Sequence, residues 1–298
     1  MKNAVVGRIV DVLPLLVLFA VGLVGVFVAM NLLVAAIPAD TTPAPSEPVA
    51  LNSMSAGPTL TYAPVMATPT PTPVMTVALP NTAPAIWKGV AQAKDPAGIW
   101  SALMYYPRFA PGSTPLADTM NADITSEVAD RLAQWEVGPA AVKSATGKVN
   151  QFAGNFTVEM TSPTIASFTM TWYDNVADTD PTTYVETINY DLGTGARMSL
   201  DDVFTDPSAA LAILSNQSAT LLQTYLGKDY DQATVAFGTS ASPANFTAWS
   251  LTPAGLKITF PEYQVAPYAD GLPQVTVPWS ALSEVLPTKG PVAQLAGR

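Results

Sequence analysis

The residues best placed by type and spacing to do chemistry are two carboxylate pairs, Asp201-Asp202 and Asp229 with Asp231. Two carboxylates flanking a glycosidic bond hydrolyse it as acid and base with no other catalytic group. Carboxylates at a loop-to-helix junction also cap backbone N–H groups, and that role is the expected one at both pairs. The chain contains neither His nor Cys. That removes Ser-His-Asp triads, thiol nucleophiles, imidazole bases and nearly all zinc and haem ligation. The segment DNVADTDP (Asp174 to Pro181) carries three aspartates, but it lacks the spacing and the terminal Glu of an EF-hand loop and reads as a polar hairpin loop. Gly193 to Gly195, GTG, has neither the GxGxxG pattern nor a P-loop lysine and reads as a two-glycine turn. No enzyme, cofactor or metal is expected.

With 13 basic and 23 acidic residues the formal charge is −10. Such a chain repels nucleic acid and anionic lipid surfaces and attracts a basic protein. Nucleic-acid binding is not expected.

The elements that must carry these groups are legible from periodicity. Leu116, Met120, Ile124, Val128, Leu132 and Trp135 form one apolar stripe of a helix over Pro115 to Val137, with Asp123, Glu127 and Asp130 on its solvated face. Alternation predicts strands over Phe152 to Met160, Ile165 to Tyr173 and Tyr184 to Leu192, an antiparallel meander. Asp206-Pro207 opens a second helix and Gly227 closes it, with Leu211, Leu214, Leu221, Leu222 and Tyr225 turned to a core. Further strands follow around Phe246 to Leu251, Leu256 to Phe260 and Val275 to Val277. The fold class expected is α+β: an antiparallel sheet with two main helices. Sequons occur at Asn155, Asn216 and Asn245.

Two segments precede that domain. Val12 to Ile37 carries no charge, and its roughly 26 residues reach about 39 Å as a helix, enough to cross a bilayer core of about 30 Å. Lys2 and Arg8 precede the span, whereas Asp40 and Glu47 follow it. The positive-inside rule therefore predicts a single-pass protein with residues 1–11 as a cytoplasmic tail and the bulk of the chain extracytoplasmic. Residues 38–85 are rich in Pro and Thr, without the periodic apolar residues that offset ordering entropy, and read as a stalk. Residues 86–298 form the expected globular domain.

The runs Ile188 to Phe204 and Asn245 to Leu282, with Tyr190-Asp191, Gly195, Ser199-Leu200-Asp201-Asp202, Phe204, Gly255-Leu256, Tyr263, Pro267-Tyr268, Gly271 and Pro278, resemble the extracytoplasmic domain of RsiV-type lysozyme-binding anti-sigma factors. The same modules are similar to the non-catalytic region of some peptidoglycan deacetylases. The resemblance divides the domain into a first module at about 100–180 and an RsiV-like module at about 181–287. It implies a lysozyme-recognising or cell-wall-associated domain of the bacterial envelope. Pro261, Tyr263, Pro267 and Tyr268 in the matched segment are the expected partner-binding residues, since rigid aromatic and Pro side chains give contact area at low entropic cost. The expected function is a membrane-anchored binding or sensing protein for a cell-wall glycan or a protein such as lysozyme. The alternative is a structural subunit of a larger envelope complex.

Overall fold

The computed structural model describes residues 81–295. The expected span at 12–37 and the stalk up to residue 80 lie outside the described residues. Among those described, no helix is long and apolar enough to cross a membrane.

The architecture is α+β, built from two sheets. The first runs in the order β1 (Ile86–Lys94), β2 (Trp100–Phe109), β3 (Asn150–Thr161), β4 (Ile165–Asn175), β5 (Thr182–Asp191) and β6 (Ala196–Arg197). Its neighbours are antiparallel except β2 and β3, which are parallel, with Trp100 opposite Asn150 and Met104 opposite Gly154. The sheet is therefore mixed, and the purely antiparallel expectation is corrected. A parallel pair needs a long crossover, which α1 (Ala117–Val137) supplies by carrying the chain back along the sheet between β2 and β3.

Helix α1 buries the predicted stripe: Met120, Ile124, Val128 and Trp135 meet Met104, Tyr106, Phe152, Phe168, Met170, Trp172, Ile188 and Tyr190 of the sheet. Asn121 fastens the helix start by accepting from Phe109 N at 2.8 Å and donating to Phe109 O at 2.9 Å. At the other end Trp135 stacks on Phe152 at 5.2 Å and Phe152 on Trp172 at 6.0 Å. The acidic face of α1 is not simply solvated as expected. Asp123 and Glu127 receive Arg197 at 2.6 and 3.1 Å, and Arg131 pairs with Glu186 on β5.

The second sheet is β7 (Trp249–Leu251), β8 (Gly255–Thr259) and β9 (Gln274–Pro278), all antiparallel. Around it lie α2 (Leu200–Val203), α3 (Pro207–Leu226), α4 (Gln232–Gly238) and α5 (Trp279–Leu282). Helix α3 keeps its predicted ends, with the Asp206 side chain accepting from Ala209 N and Gly227 following its last residue. Its inward row is Ala210, Leu214, Ser218, Leu222 and Leu226, facing a core shared with Leu251, Leu256, Ile258 and Val277. Tyr225, expected inside, is 53% exposed because that i, i+4 row turns it outward.

The two sheets meet through polar groups. β7 is an edge strand whose Trp249 N–H donates to Thr187 Oγ1 at 3.2 Å and whose Leu251 N–H donates to Ser167 Oγ at 2.9 Å. Asn189 Nδ2 donates to Trp249 O at 2.9 Å. The polar residues that alternate with the core positions of β4 and β5 thus face β7 rather than water.

Candidate functional site

The segment between β8 and β9 carries the predicted partner-binding residues. Val265 and Ala266 are buried in the second core and anchor it. Glu262 accepts from Thr183 N at 2.9 Å, and Gln264 Nε2 donates to Gly238 O at 2.8 Å and to Asn245 O at 2.9 Å. The chain passes so close to α4 that a Cβ on Gly238 would lie 2.1 Å from Gln264 O. Only glycine fits there.

Held in this frame, Tyr263 has φ +67 and is 69% exposed. A non-glycine residue in the left-handed region costs about 1–2 kcal/mol. Its ring stacks on Tyr268 at 5.9 Å with the planes 25° apart. Tyr268 in turn donates its hydroxyl to Pro181 O at 2.7 Å, which ties the pair to the turn before β5. Desolvation raises the Tyr268 pKa, and the carboxylates of Glu262 and Asp180 raise it further. The structure therefore brings Tyr263 and Tyr268 together on an exposed, acid-rimmed platform. Pro267 precedes the short turn bearing Tyr268 and is exposed, while Pro261 is half-buried at the start of the segment. The prolines frame the platform, whereas the two rings form its face.

Beside Tyr263 opens a recess of about 390 Å³ lined by Thr234, Phe237, Gly238, Asn245 and Gln264 among others. Phe237 is 83% exposed. The sequence reading missed it, because an apolar residue next to Val235 reads as core. The available signal was Asp231, whose side chain caps α4 by accepting from Thr234 N at 2.7 Å. That cap starts a helix of seven residues, about two turns, in which Val235 and Phe237, two positions apart, point in different directions.

Of the carboxylates singled out for chemistry, Asp201 is exposed in the first turn of α2 and the other three have near partners. Asp202 closes a capping box with Ser199, Asp231 caps α4, and Asp229 lies 3.5 Å from Lys228. Asp174 accepts from Trp135 Nε1 at 2.7 Å and Asp178 gathers Ser144, Ala145 and Thr146, so the aspartates of the hairpin loop serve different partners. Among the described residues no three or more acidic side chains are grouped so as to hold a metal ion. A second recess of about 320 Å³ is lined by Glu127, Glu186 and Arg197. Its charges are already matched, Glu127 to Arg197 and Glu186 to Arg131 and Trp172 Nε1. Nearby, burial and the hydrogen bond to Asp123 raise the Tyr190 pKa and keep the phenol protonated.

The fold and the platform define an α+β protein with an exposed aromatic surface. Residues 201–280 match the family model DUF3298, a protein of unknown function. The crystal structure of a DUF3298-family member from Bacteroides fragilis is similar, with a TM-score of 0.50 and 15% identity over 72% of this chain and 98% of that one. A DUF3298-family structure from Pseudomonas aeruginosa PAO1 gives 0.47 and 15% over 72% and 96%. At 15% identity the likeness to the Bacteroides fragilis structure is one of fold. No curated protein matches the chain.

Proposed function

We propose that the chain is a membrane-anchored, extracytoplasmic binding or sensing protein of the RsiV-like type, capturing a basic protein such as lysozyme without turnover. The observation that carries this reading is the Tyr263–Tyr268 stack, exposed at 69% and 37% and held by backbone that the rest of the segment fixes. Preorganised aromatic rings lose little entropy on binding. Glu262 and Asp180 at the Tyr268 hydroxyl and the chain's formal charge of −10 favour a cationic partner. The charge-free run Val12 to Ile37 supports the anchor, with the acidic domain on the outer side.

Calorimetric titration of the full chain with lysozyme tests the proposal. Saturable, salt-sensitive binding that falls about tenfold or more in Tyr268→Ala is expected. Binding unchanged in that variant would remove the platform from the interface, and no heat at low salt would remove the partner class.

A further inference from the structure

We infer that the recess beside Tyr263 is a second binding site, one that takes a neutral pyranose ring stacked on Phe237. Phe237 sits on α4 with 83% of its surface exposed, the most exposed of the large apolar residues described. The recess beneath it, about 390 Å³, is of the size of small-ligand sites and is formed before any ligand arrives. Its floor is the contact of Gly238 with the Gln264 carbonyl, where no side chain fits.

The lining carries no charged residue. The two neighbouring carboxylates are engaged elsewhere, Asp231 with Thr234 N and Glu262 with Thr183 N. The two amide side chains of the lining are oriented one way, with the hydroxyl-bearing Thr234 and Tyr263 beside them. Asn245 donates through Nδ2 to Ser240 O at 3.0 Å and Ser240 Oγ at 2.8 Å, and Gln264 donates through Nε2 to Gly238 O and Asn245 O. Both amide nitrogens are thus occupied, while among the described residues neither Asn245 Oδ1 nor Gln264 Oε1 receives a donor. A fitting ligand presents an apolar face to the Phe237 ring and donor groups at its edge, and bears no net charge. A pyranose has that pattern: axial C–H bonds on one face and hydroxyls around the rim. An acidic ligand would find no cation in the lining and a chain of net charge −10 around it. The site is independent of the proposed protein partner except through Tyr263, which borders both surfaces.

Ligand-detected saturation-transfer NMR and titration of the full chain, using maltotriose, tri-N-acetylchitotriose and the charged control trigalacturonate, test the inference. Binding of at least one neutral trisaccharide, with trigalacturonate silent, is expected. Phe237→Ala, and independently Ala233→Arg, which fills the recess from an exposed position, should each weaken it about tenfold. Sugar binding unaffected by Phe237→Ala, or no binding of either neutral sugar, overturns the site. Binding of an N-acetylated, C-amidated Leu-Ala-Leu peptide in place of the sugars would reassign the recess to a peptide side chain. Loss of lysozyme binding with sugar binding intact defeats only the protein-partner proposal, and the reverse pattern defeats only this one.

Discussion

Lys257 on β8 reaches across the junction of the two sheets to Glu159 on β3, and the two side chains are 16% and 9% exposed. Thr169 Oγ1 donates to the same Glu159 oxygen at 2.8 Å and lies 3.0 Å from Ser250 Oγ. The pair is therefore the charged centre of a polar seam. Removing one member strands the other in a low-dielectric setting, so Lys257→Met should cost about 3–5 kcal/mol. The double change Glu159→Leu with Lys257→Met should recover most of that loss. Urea titration of both variants and of Glu159→Leu alone closes the cycle, and additive losses would rule out coupling.

Tyr263 separates stability from recognition. Tyr263→Gly relieves about 1–2 kcal/mol of left-handed strain and forfeits about 0.5–1 kcal/mol to backbone entropy. The stack on Tyr268 is lost as well, so the thermal midpoint should stay within a few degrees of the parent. Partner binding should nevertheless fall. A large drop in the midpoint would show that the stack is structural rather than recognitive.

Asp174 makes stability depend on acid. Desolvation raises its pKa above the ordinary 3.8, against the opposing hydrogen bond from Trp135. A carboxyl with a raised folded pKa contributes stability that is fully present below 3.8 and is lost as pH rises through the folded value. The stability of wild type relative to Asp174→Asn should therefore decline between pH 3.8 and neutrality. Denaturant melts across that window decide it, and a difference independent of pH would refute the linkage.

Asp178 acts in the opposite sense. Hydrogen bonds from Thr146 and Ser144 hold its carboxyl below the ordinary range, so its contribution is present above 3.8 and is lost as pH falls through the folded value. Asp178 accepts from Ala145 N at 2.8 Å. Asp178→Ala should speed hydrogen exchange at the Ala145 and Thr146 amides while leaving β3 and β4 protected, and unchanged exchange would mean that the latch is idle.

Much of the fold is legible in local signals. Asp206-Pro207 and Gly227 bound α3 because capping chemistry acts within a few residues, and β3 to β5 show their alternation directly. β1 and β2 escape notice because their pattern is completed across the sheet. Gly89 occupies a core-facing position without a side chain, covered by the Tyr106 ring, which a Cβ on Gly89 would approach to 2.4 Å. The parallel pairing of β2 and β3 is likewise hidden, since register across a crossover leaves no trace in either strand. At the candidate site, Tyr263 and Tyr268 stand out by composition, but the φ of Tyr263 and the exposure of Phe237 are products of packing between distant segments.

The family match at residues 201–280 falls on a stretch that cannot be cut out cleanly. The outer rim of β7 finds its hydrogen-bond partners in Ser167, Thr187 and Asn189, all earlier in the chain. A fragment beginning near residue 200 would present that rim bare, a template for strand addition between molecules, and would be prone to aggregate. The side chains of β4 and β5 therefore serve as a built-in chaperone for a strand that the chain makes 60 to 84 residues after them.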